Sequence, residues 1–76
     1  MDTAQIREQM EVVGSDNNHV GRVDHIKGEM IELAKIDLPI MGHHLIPLSW
    51  VDWVDDKVHL NCRSYEARQR WVEAGH

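Results

Sequence analysis

Residues 43–61 read HHLIPLSWVDWVDDKVHLN and carry the clearest strand pattern in the chain. Asp55-Asp56-Lys57 has the composition of a hairpin turn. Pro47 interrupts the apolar run, and the irregular apolar spacing after it predicts a turn or a single 3₁₀ turn around residues 48–51. The segment therefore holds three stretches of strand length, rich in valine, leucine or isoleucine, at 44–48, 50–54 and 58–61.

Outside this segment, turn residues also recur at short intervals, with Gly14 to Asn18 as one cluster and Lys27-Gly28-Glu29 as another. Such spacing is typical of short strands joined by hairpins. Closure of a small sheet removes the exposed edges that favour aggregation. We therefore predict a mainly β fold, a small, highly curved antiparallel barrel of about six strands, whose other three strands are 10–13, 19–26 and 30–35.

Side-chain alternation assigns faces in two of these strands, because successive residues of a strand point to opposite sides. In 19–26 the apolar residues recur every three positions, which a regular strand cannot keep on one face, and we expect a bulge or bend at Gly21. The alternation places Ile31, Leu33, Val58 and Leu60 inside and turns Glu32, His59 and Asn61 outward.

The C-terminal segment has the signals of a helix. Ser64 can cap its start, the helix is expected to run to about Ala74, and Gly75 can stop it. Its apolar stripe is Ala67, Trp71 and Ala74. We predict one domain over residues 1–76, with a barrel of about 6–62 and a helix of about 64–75.

Composition restricts the possible partners. Eight Lys and Arg oppose thirteen Asp and Glu, and the net charge of −5 argues against nucleic acid. Residues 1–13 hold no apolar run of signal-peptide length, no later stretch is long enough to span a membrane, and Cys62 is the single cysteine. We expect a cytoplasmic protein with no membrane partner. A core this small is often supported by self-association, so we also expect a homo-oligomer.

The residues give no catalytic constellation and call for no cofactor, so we expect a protein that is not an enzyme.

Neighbours on a strand point to opposite faces, so His43 and His44 cannot share one ion in a regular strand. A composite metal site from His25, His44 and His59 on neighbouring strands stays open. The alternative is that these histidines face outward and bond to nearby Asp24 or Asp52 or to the backbone.

Tryptophans give the strongest functional signal. Trp50 and Trp53 are three residues apart, so at least one of them is expected to lie off the core face, and tryptophan is favoured at protein–protein contacts. Together with Trp71 they form the predicted interaction residues. The alternative is that both rings pack against the C-terminal helix and Trp71.

These motifs resemble the PRC-barrel superfamily. Residues 10–28, MEVVGSDNNHVGRVDHIKG, are similar to its opening hairpin, in which Val20, Gly21 and Val23 follow an Asp-containing turn. Ile46-Pro47 is similar to the family's Ile-Pro hallmark. More narrowly, HHLIPLSWVDWVDDKVHLN is similar to small bacterial single-domain proteins of unknown function assigned to that superfamily.

The resemblance covers about residues 6–62 and implies a curved β-barrel without catalytic residues. Superfamily members include the cytoplasmic domain of a photosynthetic reaction-centre subunit and a domain of a ribosome-maturation factor, which both contact other macromolecules. The predicted helix with Trp71 is not part of the barrel pattern.

We therefore expect a non-enzymatic protein–protein interaction module that forms a homo-oligomer, as a dimer, and contacts a protein partner of unknown identity. A metal- or pH-responsive module using His25, His43, His44 and His59 is the first alternative. An accessory factor in ribosome or RNA–protein assembly is the second, and it depends on fold analogy alone.

Overall fold

The computed structural model describes residues 5–34 and 43–74, which are mainly β. A strand overlaps each of the six predicted stretches, and a 3₁₀ helix at Leu48–Trp50 confirms the predicted turn after Pro47. The elements are β1 (Glu11–Val13), β2 (His19–Lys27), β3 (Met30–Leu33), β4 (His43–Pro47), the 3₁₀ helix, β5 (Val51–Val54), β6 (Lys57–Leu60), α1 (Ser64–Arg70) and β7 (Val72–Ala74).

The strands form one sheet in the order β5-β6-β1-β2-β3-β4-β7. Its pairs are antiparallel except β1 with β6, which run parallel. The predicted number of about six strands agrees with the structure, whereas the prediction of a purely antiparallel arrangement was wrong for the β1–β6 pair. After β4 the 3₁₀ turn redirects the chain, and β6 reaches β1 from a distant part of the sequence, where parallel pairing is possible. Among the described residues the sheet ends at β5 and β7, so a closed barrel is not confirmed.

Strand β2 bends the sheet. Its first half pairs with β1 and its second half with β3, and each ladder has a register shift. One shift leaves Val20 as an extra residue beside Gly21, where the bulge was expected, and the other leaves Asp24 as an extra residue. Bulges bend a strand and let it pass from one part of a sheet to another. Val20 and Val23 consequently both face the interior, each 1% exposed.

The core is enclosed between the two halves of this bent sheet. The predicted interior residues Ile31, Leu33, Val58 and Leu60 are at most 1% exposed. The whole buried cluster consists of Ile6, Val12, Val20, Val23, Ile31, Leu33, Ile46, Val51, Val58, Leu60 and Ala67.

Helix α1 is anchored by the turn between β1 and β2. The Asp16 carboxylate accepts hydrogen bonds from the Ser64 backbone nitrogen at 3.2 Å and from the Ser64 hydroxyl at 3.1 Å. Glu66 accepts one from the Arg63 backbone nitrogen at 3.1 Å. Ser64 was expected to cap the helix. It is instead the first helical residue, and a side chain distant in sequence satisfies its amide.

The predicted helix was too long, because α1 ends at Arg70. Trp71 is extended, at φ −64° and ψ 158°, and Val72–Ala74 pair with β4 as strand β7. A short helix is marginal in isolation, and β4 offers unpaired backbone groups that the last residues satisfy. Gly75, the expected helix stop, lies outside the described residues. Across residues 5–34 and 43–74, no helix has the length and apolar character that a membrane crossing requires.

Candidate interaction site at the β5–β6 hairpin

The hairpin of β5 and β6 is closed by a turn that Asp55 stabilises. The Asp55 carboxylate accepts a hydrogen bond from the Lys57 backbone nitrogen at 2.8 Å, and the Asp55 backbone nitrogen donates to the Lys57 carbonyl at 3.0 Å. This is the local carboxylate-to-backbone bonding that favours Asp in turns. The register across the hairpin pairs Trp53 directly with His59.

Trp53 and His59 form a stacked pair on the surface of the hairpin. Their ring centroids are 3.8 Å apart and the ring planes differ by 7°. The Nε2 atom of His59 lies 2.8 Å from the Asp55 carboxylate, so the imidazole is held on one edge while its face supports the indole. His59 is only 12% exposed, whereas Trp53 is 53% exposed. The hairpin therefore presents a large aromatic ring to solvent in one fixed orientation.

The Asp55 carboxylate stays ionised in this arrangement. The hydrogen bond from the Lys57 backbone lowers the pKa of Asp55, and it outweighs the opposing effect of desolvation; the bond to His59 lowers it further. An ionised Asp55 is the better acceptor for the His59 ring. The charge on the carboxylate therefore helps to fix the ring beneath Trp53.

A shallow, open depression of about 460 Å³ adjoins the turn. It combines apolar surface from Met10 and Val54 with one cation and two carboxylates. Asp55 lines this depression and also holds the His59 ring beneath Trp53, and we call the two features together the hairpin surface. The depression is lined by Gln5, Arg7, Met10, Val54, Asp55 and Asp56.

The other two predicted interaction residues are used differently. Trp50 and Trp71 are half-buried and pack against the core cluster. The Trp71 ring lies 4.3 Å from that of His44 at a tilt of 36°, and the Arg70 guanidinium carbon is 6.0 Å from the Trp50 ring. Of the three tryptophans, Trp53 is the one that offers most of its surface.

The structure does not bring His25, His44 and His59 together. His44 lies opposite Leu33 on the core side of β4 and is 1% exposed. His25 lies opposite Glu32 on the outer side of β2, and His59 supports Trp53. Within the described ranges, the one group of three or more metal-binding side chains is Asp24, His25 and Glu32. The side chain of His43 lies outside the described part of the chain.

Glu32 departs from its predicted environment. Its register places it on the outer face, as alternation predicted, yet it is only 7% exposed. Its carboxylate Oε1 lies 3.8 Å from His25 Nε2, while His25 Nδ1 bonds to Asp24 at 3.2 Å. The bond of His25 to Asp24 was one of the alternatives that the sequence left open. Glu32 was missed, because alternation describes the face of a residue but not how deeply it is covered.

Cys62 is half-buried. Burial raises the pKa of its thiol, and the nearby Glu66 carboxylate raises it further. Both effects favour the protonated thiol at neutral pH, whereas a nucleophilic or metal-binding cysteine requires the thiolate. The environment of Cys62 therefore suppresses its reactivity.

The family comparison identifies where the chain belongs. Residues 6–68 match the model of a family described as "Uncharacterized protein conserved in bacteria (DUF2171)". The match covers most of the chain, from before β1 into α1, and the protein belongs to this bacterial family. Comparison with curated proteins and with solved structures found no match.

Proposed function

We propose that this protein is a non-enzymatic interaction module that associates with a second copy of itself through the hairpin surface. The observation that carries the proposal is the exposure of Trp53, 53%, on a ring that His59 and Asp55 hold in place. Rigid, exposed aromatic rings are favoured at the centres of protein interfaces because they bury much surface at little entropic cost.

A second copy is the partner that suits the position of Trp53. The ring belongs to β5, the strand that ends one side of the ladder among the described residues. Two copies related by a twofold axis bring the same surface together twice, so each Trp53 can reach the Met10 and Val54 surface of the other copy. The depression also contains Arg7 beside Asp55 and Asp56, which allows reciprocal charge pairs across the axis.

The areas involved set a limit on the role of the ring. Tryptophan buries about 150–250 Å² in full, so two half-exposed rings together supply a similar area, about 150–250 Å². A stable interface buries about 1,200 Å² or more in total. Trp53 is therefore the central anchor, and β5 together with the depression must supply most of the contact area.

We further propose that the fold is a PRC-barrel relative located in the cytoplasm. The bent β2 and the position of Ile46-Pro47 at the end of β4 support the kinship. A single free cysteine with a suppressed thiol suits a reducing compartment. An experimental structure tests the kinship, which requires that β5 and β7 approach each other to close the barrel.

Sedimentation velocity over a range of concentrations tests self-association. The wild-type chain is expected to show a reversible monomer–dimer equilibrium, and Trp53→Ala is expected to weaken it about 30-fold or more, the loss typical of an interface anchor. The matched control is Tyr65→Ala, since Tyr65 is 54% exposed but lies on α1. A wild-type chain that stays monomeric throughout, or equal losses in the two variants, contradicts the proposal.

A further inference from the structure

We propose that Asp24, His25 and Glu32 form a binding site for a divalent transition-metal ion of the Zn²⁺ class. In this site His25 Nε2 and Glu32 Oε1 are the protein ligands, and Asp24 orients the imidazole through Nδ1. The site lies on the outer face of β2 and β3, so it is separate from the hairpin surface and does not depend on self-association.

The backbone creates this grouping through the second bulge of β2. In a regular strand Asp24 and His25 point to opposite faces. The register shift between Val23 and His25 inserts Asp24 as an extra residue, and its carboxylate reaches His25 Nδ1 at 3.2 Å. Bulges are known to redirect side chains in this way near functional sites. His25 lies directly across from Glu32 in the same ladder.

The distances suit an ion between His25 and Glu32. The 3.8 Å from Nε2 to Oε1 is long for a direct hydrogen bond. Two ligands that are each about 2.1 Å from a tetrahedral ion are about 3.4 Å apart. One ligand atom from each of the three residues lies within 4.8 Å of the others. The His25 side chain is half-exposed, so its ring has room for the small adjustment that the 3.8 Å distance requires.

The arrangement of His25 between two carboxylates matches a recurrent feature of metal sites. A histidine that binds a metal through one nitrogen commonly donates its other N–H to a carboxylate, which fixes the ring and strengthens the ligand. Asp24 occupies that position here. Glu32 contributes a largely covered carboxylate as the second ligand.

The ligand chemistry indicates the class of ion. One imidazole nitrogen with carboxylate oxygens suits Zn²⁺, Co²⁺, Ni²⁺ or Mn²⁺, whereas Cu⁺ prefers sulfur and Mg²⁺ or Ca²⁺ prefer oxygen alone. Two protein ligands leave further coordination positions for water. Such a site is open and exchangeable, in contrast to a closed structural zinc site with four protein ligands.

The test is isothermal titration of the tag-free full chain with ZnCl₂, repeated with CoCl₂ while the visible absorption of bound Co²⁺ is recorded. We expect saturable binding of one ion per chain. His25→Ala is expected to weaken binding at least about 10-fold, and Asp24→Asn about 10-fold, the usual effect of losing a carboxylate that orients a ligand. His59→Ala is the matched control and is expected to leave the affinity unchanged, because His59 lies on the other hairpin.

Glu32→Gln should also abolish the Co²⁺ spectrum, and circular dichroism shows whether this buried substitution still folds. If it does not fold, His25→Ala decides the question, since His25 is half-exposed. Absence of binding at millimolar Zn²⁺ would show that His25 serves only as an ion-pair partner of the two carboxylates and would overturn the proposal. Equal losses in His25→Ala and His59→Ala would overturn it as well, because they indicate nonspecific binding to surface histidines.

Discussion

Replacing Trp71 by alanine should destabilise the monomer severely, because the Trp71 ring belongs to the packing of the fold. The ring packs on the core cluster and lies 4.3 Å from His44 at the point where α1 gives way to β7. More than half of the Trp71 surface is buried, so truncation to alanine removes well over 100 Å² of buried apolar surface. This area corresponds to about 3 kcal/mol at 25 cal/mol per Å². The same change removes the Trp71–His44 ring contact, which lies next to the β4–β7 pairing.

A loss of about 3 kcal/mol is large for this chain. At about 0.05–0.15 kcal/mol per residue, the free energy of unfolding of a 76-residue domain is roughly 4–11 kcal/mol. The melting temperature should fall by about 12–24 °C, since 1 kcal/mol corresponds to about 4–8 °C at this size. We expect the urea midpoint to fall by about 3 M if the m-value is near 1 kcal/mol per M.

Urea unfolding followed by far-UV circular dichroism at low protein concentration measures this loss, since fluorescence would report the missing indole itself. Trp53→Ala is the control, and it is expected to cost only about 0.5–1.5 kcal/mol, the value of one aromatic pair at the surface. The division of roles between the two rings is refuted if the free energy of unfolding of Trp71→Ala lies within 1 kcal/mol of the wild-type value. It is also refuted if Trp53→Ala lowers the free energy of unfolding as much as Trp71→Ala does.

Three further predictions concern the helix anchor and Cys62. Desolvation raises the pKa of the Asp16 carboxyl, but hydrogen bonds from Asn18 and Ser64 outweigh it, so that the pKa is lowered on balance. The stability that ionised Asp16 confers should be fully present above its ordinary pKa and be lost as the pH falls through the lowered pKa. Acid unfolding of Asp16→Asn compared with the wild type measures this loss of stability. Gly14→Ala should lower the melting temperature, because the added methyl group would overlap the backbone nitrogen of Ser64; an unchanged melting temperature contradicts the packing. Cys62 should react with iodoacetamide at pH 7.5 more slowly than a free cysteine and gain rate at higher pH, whereas a fast reaction would contradict its raised pKa.

Local patterns in the sequence predicted much of the fold. Ile31, Leu33, Val58 and Leu60 were assigned to the interior correctly, because a strand with one buried face must alternate. The bulge beside Gly21 followed from the same rule, since three-residue spacing breaks alternation. Patterns of this kind depend only on residues close together in the sequence, so a single sequence is enough to predict them.

Long-range pairing was not predictable in the same way. The parallel pairing of β1 with β6 and the strand Val72–Ala74 depend on partners far along the chain, and three-residue strands carry almost no periodic signal. The anchoring of Ser64 by Asp16 joins residues 48 positions apart. At the candidate sites, exposure of Trp53 was one of two open possibilities, and the stack on His59 required the hairpin register that the sequence left undetermined.

Fluorine NMR of the chain labelled with 5-fluorotryptophan tests the role of Trp53 most directly. The three tryptophans give three resonances, which single Trp-to-Phe variants assign. As the protein is diluted from millimolar to micromolar concentration, the account predicts that the Trp53 resonance shifts and that those of Trp50 and Trp71 stay nearly constant. A Trp53 resonance that does not respond to concentration, or a response confined to Trp50 or Trp71, would contradict the claim that Trp53 anchors self-association.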